Sequence, residues 1–169
     1  MPRKIDATGN AWGNTPRTAP QPTAVPPTPP PQQNMFQKAK SYAEAVASKG
    51  FTGKRACEKV FLARYASCHG NEQEGIAPCP HRAVSEKDSS RFYCTACGCG
   101  DRAQTWLNSS NPEEYTKLHF PKVQCPLKMP GFSNYEVGDE PRKHTVESYC
   151  QRVGLTVAGE CKDCGCKDK

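Results

Sequence analysis

Eleven cysteines in 169 residues carry most of the chemistry this sequence offers. Six of them fall in two copies of one pattern, Cys-x-x-Cys-Gly-Cys-x-Asp. CTACGCGD runs from Cys94 to Asp101, and CKDCGCKD from Cys161 to Asp168. Two thiolates three residues apart can converge on one ion while the backbone between them turns, and the N–H groups of that turn can donate to the sulfurs. Gly98 and Gly165 stand where such a turn needs a left-handed residue, which glycine adopts without a Cβ clash. The spacing predicts metal binding.

A tetrahedral site takes four ligands, and each pattern supplies three. For the first, with Cys94, Cys97 and Cys99, the candidates to complete it are Cys79, Cys125 and Cys68. For the second, with Cys161, Cys164 and Cys166, they are Cys150 and Cys57. Cys57, on an expected helix, reads more simply as a small buried hydrophobe. His81 lies two residues after Cys79 in CPHR and His69 follows Cys68, so either has the position of a ligand, although most histidines are simply exposed or hydrogen-bonded. Four thiolates suit Zn2+, in one or two sites. They suit a [4Fe–4S] cluster equally well by ligand type, which is the alternative.

The rest of the chain must position these groups with little core material. Only 36% of the residues are hydrophobic, and 13 glycines and 16 prolines predict many loops. Small loop-rich chains need staples, and metal supplies them. The opening MPRKIDATGNAWGN has no apolar run, and no stretch approaches a membrane span. The expectation is folding in a reducing cytoplasm, where thiols stay available to metal and no membrane is engaged; the odd cysteine count also speaks against a closed disulfide framework. The formal net charge of +6 assumes neutral thiols. A four-thiolate zinc site carries about -2 by ligand counting, so two sites leave about +2, a weak basis for binding nucleic acid.

The expected architecture is a small metal-stabilised, loop-rich α+β domain with few short helices and strands, preceded by an extended proline-rich arm. Residues 1–34 form the arm; half of residues 16–31 are proline, which favours polyproline II. Trp12 within it is a candidate partner anchor. Residues 35–50 read as an amphipathic helix, capped by Asn34 and closed by Gly50, with Phe36, Ala39, Tyr42, Ala43 and Val46 on one face. Phe36 and Tyr42 are candidate partner contacts. Residues 51–169 form the cysteine-rich metal-binding domain, divisible into knuckle subdomains 51–127 and 128–169. Within it a helix is expected over 54–66 with Val60, Phe61 and Tyr65 inward. Short strands are expected at RFYC (Arg91–Cys94) and KVQCPL (Lys122–Leu127). A last helix is expected over 145–153, ended by Gly154, with Val146, Tyr149, Cys150 and Val153 facing the core.

From Cys79 to Leu127 the succession CPH, CTACGC, QCPL resembles small cysteine-rich proteins of bacteriophages and bacteria with a pattern like C-P-H…C-x-x-C-G-C…C-P-L. The resemblance implies that Cys79, Cys94, Cys97 or Cys99, and Cys125 form one site. It covers less than a third of the chain, and the insert from Asp101 to Val123 departs from it.

These residues point away from catalysis. No His-x-Glu or His-Glu-x-x-His stretch provides a base beside a metal, and no glycine-rich phosphate loop is present. The reading is a non-enzymatic structural protein, metal-stapled and embedded through its arm among the proteins of a larger assembly, with a bacteriophage virion as one such setting. The first alternative is a zinc-containing nucleic-acid-binding protein. It would use Lys54, Arg55, Lys59, Arg64, Arg82, Lys87, Arg91 and Arg102, with Phe92 and Tyr93 stacking on bases. The second is an iron–sulfur redox protein.

Overall fold

The computed structural model describes residues 34–52, 55–111 and 114–159, and within the first helix the Tyr42 side chain is not among the described groups. The predicted arm with Trp12, and the second cysteine pattern with Cys161, Cys164 and Cys166, lie outside these residues. The described elements are helix α1 (Met35–Thr52), helix α2 (Glu58–His69), strands β1 (Arg82–Val84) and β2 (Phe92–Cys94), and helix α3 (Pro141–Arg152). Short 3-10 turns stand at Glu72–Glu74, Ala103–Thr105 and Lys117–His119. The coarse α+β reading with few short elements is the observed one.

α1 begins as predicted: Asn34 Oδ1 accepts the Gln37 N–H at 2.8 Å, satisfying one of the free donors of a helix start. It does not stop at Gly50 but runs on to Thr52. A glycine inside a helix is unfavourable by only about 1 kcal/mol and need not end it. The expected apolar face is not the one that packs. Phe36 is 83% exposed and Val46 40%, whereas Ala45, one stripe over, is buried. Glu44 beside it accepts from Gln124 at 3.5 Å. An apolar stripe marks a helix; it does not say which neighbour the helix meets.

α2 is shifted toward the C-terminus of its predicted span. It starts at Glu58, with Cys57 at the N-cap, and continues through Cys68 to His69. Val60 is fully buried as expected, but Phe61 is only partly buried and Tyr65 is 39% exposed. The inward face is instead Val60, Ala63, Arg64 and Ser67. Arg64 is the least expected of these. Its guanidinium donates to Gly131 O (2.6 Å), Phe120 O (2.7 Å), Leu118 O (2.8 Å), Pro121 O (3.2 Å) and Gly159 O (3.4 Å). One side chain thereby pins three irregular segments to the helix. Gly131 makes the close approach feasible: its φ is +86° and a Cβ there would lie 2.8 Å from the Arg64 backbone nitrogen.

α3 begins one turn earlier than predicted, with Pro141 in its first turn, where a missing N–H is harmless. Val146 and Cys150 are fully buried, whereas Val153, expected inward, is 44% exposed. α2 and α3 share one buried cluster with Ile76, Leu107, Leu118, Phe120, Val123, Met129 and Phe132. The stretches 55–111 and 114–159 therefore meet in a common core. β1 and β2 form an antiparallel hairpin with Arg82 opposite Cys94 and Val84 opposite Phe92. The predicted strand at KVQCPL is not one; residues 122–127 are turn and irregular. Pro126 cannot donate to a ladder, and the Cys125 backbone is taken up by Asn134, whose Oδ1 accepts its N–H at 2.9 Å and whose Nδ2 donates to its carbonyl at 2.8 Å. No helix among the described residues is long and apolar enough to cross a membrane.

Candidate metal centre

β2 delivers Cys94 to the foot of the hairpin, and the chain then turns through Cys97, Gly98 and Cys99. Gly98 has φ +69°, the left-handed residue that the spacing called for. The Cys99 N–H points at Cys97 Sγ at 3.4 Å. The aspartate that closes the pattern has a bracing role the sequence did not disclose. The Asp101 carboxylate accepts from Trp106 Nε1 (2.8 Å), Ser85 Oγ (2.8 and 2.9 Å) and the Glu86 N–H (3.0 Å). These bonds, the Trp106 one foremost, hold it below the usual carboxylate range and fasten the hairpin loop to the knuckle.

Three other segments meet this knuckle. Cys68 arrives on the last turn of α2, and the chain returns so that the Cys79 N–H donates to the Cys68 carbonyl at 3.0 Å. Cys125 sits in a tight turn closed by the Lys128 N–H to the Cys125 carbonyl at 2.9 Å. There the N–H groups of Met129 and Leu127 are directed at the Cys125 sulfur.

Five thiols, those of Cys68, Cys79, Cys94, Cys97 and Cys125, line one small cavity of about 20 Å³. That is room for one water or one ion. Their mutual proximity shows in their electrostatics. Burial, then Cys125 and Cys79, push the Cys68 thiol up. Burial also pushes Cys125 up, against its two N–H donors. Within the knuckle, Cys97 Sγ lies 3.3 Å from the Cys94 carbonyl oxygen and Cys99 Sγ 3.8 Å from that of Cys97. The Cys97 side chain, then burial, push the Cys94 thiol up, while the side chains of Cys94 and Cys99 pull Cys97 down. His81 also lines the cavity, and its Nε2 is buried without a hydrogen-bond partner. Buried polar atoms are rarely left so, and an ion is one of the standard explanations. The sulfurs line the cavity without closing on a point: no three His, Cys, Asp or Glu side chains among the described residues form a group that could hold a metal ion.

The structure thus brings together Cys79, Cys94, Cys97 and Cys125 of the predicted set, with Cys68 and His81 of the reserve. Cys99 is buried but turns to Lys117, whose Nζ lies 3.2 Å from its sulfur. Cys150 stands apart in the α3 side of the core, and Cys57 is buried at the start of α2. His69 does not join the cavity. It stacks on Tyr65 at 4.2 Å and meets the edge of Phe92 at 5.6 Å, and burial, then the Arg82 guanidinium, push it down to about 4.

The basic residues proposed for nucleic acid are largely engaged within the protein. Arg64 is buried on carbonyls. Arg91 pairs with Glu114 at 3.2 Å and Asp88 at 3.4 Å, and Lys87 donates to the Asp101 carbonyl at 2.8 Å. Arg82 covers the face of Phe92 at 4.4 Å, the ring that was to stack on bases.

No family model, no curated protein and no solved structure matches the chain.

Proposed function

We propose that this protein is a non-catalytic interaction module whose domain folds around one structural metal ion, with Zn2+ as the fitting ion. The carrying observation is the water-sized cavity lined by five thiols from four chain segments, with an orphaned imidazole nitrogen beside them. All-thiolate or thiolate–imidazole shells suit zinc. Binding requires the sulfurs to move from the cavity wall onto the ion, and χ1, the single side-chain torsion of cysteine, is the rotation that would carry them. Cys94 and Cys97 are ligands by their spacing, Cys125 by the N–H groups aimed at its sulfur, and the fourth comes from Cys68, Cys79 or His81. The cavity as it stands has room for a single ion. An extended arm and the exposed Phe36 of α1 are the surfaces by which such a module would join a larger assembly.

Elemental analysis of anaerobically purified protein, with a visible spectrum, tests this. The expected result is at least one zinc per chain and no colour. Cys125→Ser loses the zinc of this site, while Cys57→Ser, remote from the cavity, keeps it. Iron with acid-labile sulfide would replace the reading by the cluster alternative. A chain free of metal as purified and unable to take up added Zn2+ would end it.

A further inference from the structure

We propose that Lys117 is the fixed counter-cation of this centre and that it holds Cys99 outside the coordination shell. This rests on the metal reading and deepens it. Lys117 opens the turn Lys117–His119, is only 5% exposed, and is anchored by its own N–H to the Trp106 carbonyl at 3.0 Å. Its side chain lines the thiol cavity. Its ammonium donates to Cys99 Sγ at 3.2 Å and lies within electrostatic reach of Cys94 and Cys97 and of Cys68 and Cys125.

A buried ammonium needs partners for its hydrogens and its charge. Lys117 finds one in Cys99 Sγ at 3.2 Å and lines the wall that Cys68, Cys79, Cys94, Cys97 and Cys125 share. Its place sets a positive charge beside any thiolate that gathers on an ion there. Once an ion is bound, four thiolates around a divalent metal leave about -2 in a buried place by ligand counting, and Lys117 halves it. Cys99 fits an outer role in the same geometry. It is absent from the cavity wall, its sulfur faces Lys117, and it serves the site through its backbone N–H to Cys97 Sγ. Outer groups that fix and neutralise ligands tune a metal as effectively as the ligands themselves.

Iron substituted for zinc in the full chain is the probe, because a nearby cation favours the reduced, more negative centre. The ferric/ferrous potential is measured by voltammetry for wild type, Lys117→Met, Lys117→Gln, Lys117→Arg and Cys99→Ser. Both neutral variants are expected to bind the ion with the potential shifted toward ferric by about tenfold in the equilibrium, 59 mV for one electron. Lys117→Arg restores most of it, and Cys99→Ser keeps full stoichiometry. Bound iron with an unmoved potential in the neutral variants overturns the role of Lys117 and leaves the metal reading standing. Loss of the ion in Cys99→Ser overturns the outer placement of Cys99. A wild type that takes up no ion overturns the centre itself, and this inference with it. If neither neutral variant folds, Lys117→Arg decides: folding with the wild-type potential supports a need for charge, and failure to fold assigns the lysine to packing.

Discussion

Arg64 and Lys117 are both deeply buried cations in a domain with little core material, and they are satisfied in opposite ways. Arg64 ends on backbone carbonyls of residues 118–131 and Gly159. These dipoles are fixed by the chain, so that region is complete as folded. Lys117 ends among sulfurs, beside a cavity and an imidazole nitrogen without a partner. One region is closed by carbonyls of the protein itself; in the other, the proposed reading has an ion complete what the chain leaves open. In a domain this poor in apolar side chains, both devices do what a larger core does elsewhere: they gather irregular segments that no helix or sheet ladder holds.

Stripping the metal should separate the two regions most sharply. Structural zinc sites bind with about 10–16 kcal/mol of apparent free energy, and that energy is folding energy. Chelation is therefore expected to unfold the cavity region or to lower its thermal midpoint far below that of the loaded protein, with recovery on adding Zn2+. Calorimetry with and without chelator checks this. A midpoint unmoved by chelation would make both regions complete without an ion and remove the contrast.

Arg64→Met should be the next largest effect, and it should persist with metal saturating. Removing the guanidinium leaves its carbonyls buried without donors, and each buried group so orphaned is destabilising by about 1–3 kcal/mol. Urea unfolding of the metal-loaded variant measures it. A loss under about 1 kcal/mol would mean that the carbonyls find other partners and that Arg64 is dispensable.

The difference between these regions also separates what could be read from the sequence from what could not. The knuckle at Cys94–Cys99, its left-handed Gly98 and the Asn34 cap were legible because each follows from local chemistry over a few residues. Which thiols gather was legible only as a choice: Cys79, Cys125 and Cys68 were all named as candidates to complete the knuckle, and nothing local says how many of them reach it. Arg64 and Lys117 were not legible. An arginine in an amphipathic helix, or a lysine in a loop, ordinarily reads as surface charge, and only the returning carbonyls and sulfurs, 54 to 95 residues distant for Arg64 and 18 for the Lys117–Cys99 contact, reveal otherwise. The buried stripe of α1 was missed for the same reason, because the surface it meets lies far away in the chain.

A smaller effect belongs to His119, next to both regions. It stacks on Phe61 at 4.4 Å, and burial, then the Arg55 guanidinium, hold its imidazole below the usual range, with Arg64 adding to the same effect. Its folded form resists protonation while the unfolded chain accepts a proton near pH 6.5. Stability is therefore whole above about 6.5 and declines as the pH falls from there toward the depressed folded value. His119→Phe keeps a ring for Phe61 and removes this proton. The acid-side loss between pH 7.5 and 5 should be shallower in the variant than in wild type, by matched denaturant titrations at each pH. Equal slopes would assign the whole acid response to other groups.

The smallest expected effect marks the edge of the domain. Phe36 is 83% exposed on α1, whereas Val60 in α2 is fully buried. Phe36→Ser removes almost no contact within the described domain and should change stability by less than about 0.5 kcal/mol. Val60→Ala, taken from the region closed by the chain, should lose about 1.5 kcal/mol or more. Parallel urea titrations of the two variants give the comparison directly. Neutrality at Phe36 leaves its ring free for a partner, because a protein gains nothing for its own folding from an exposed phenylalanine. A loss above about 1 kcal/mol would show that another part of this chain already covers the ring, and the partner surface of the module would then have to be sought elsewhere.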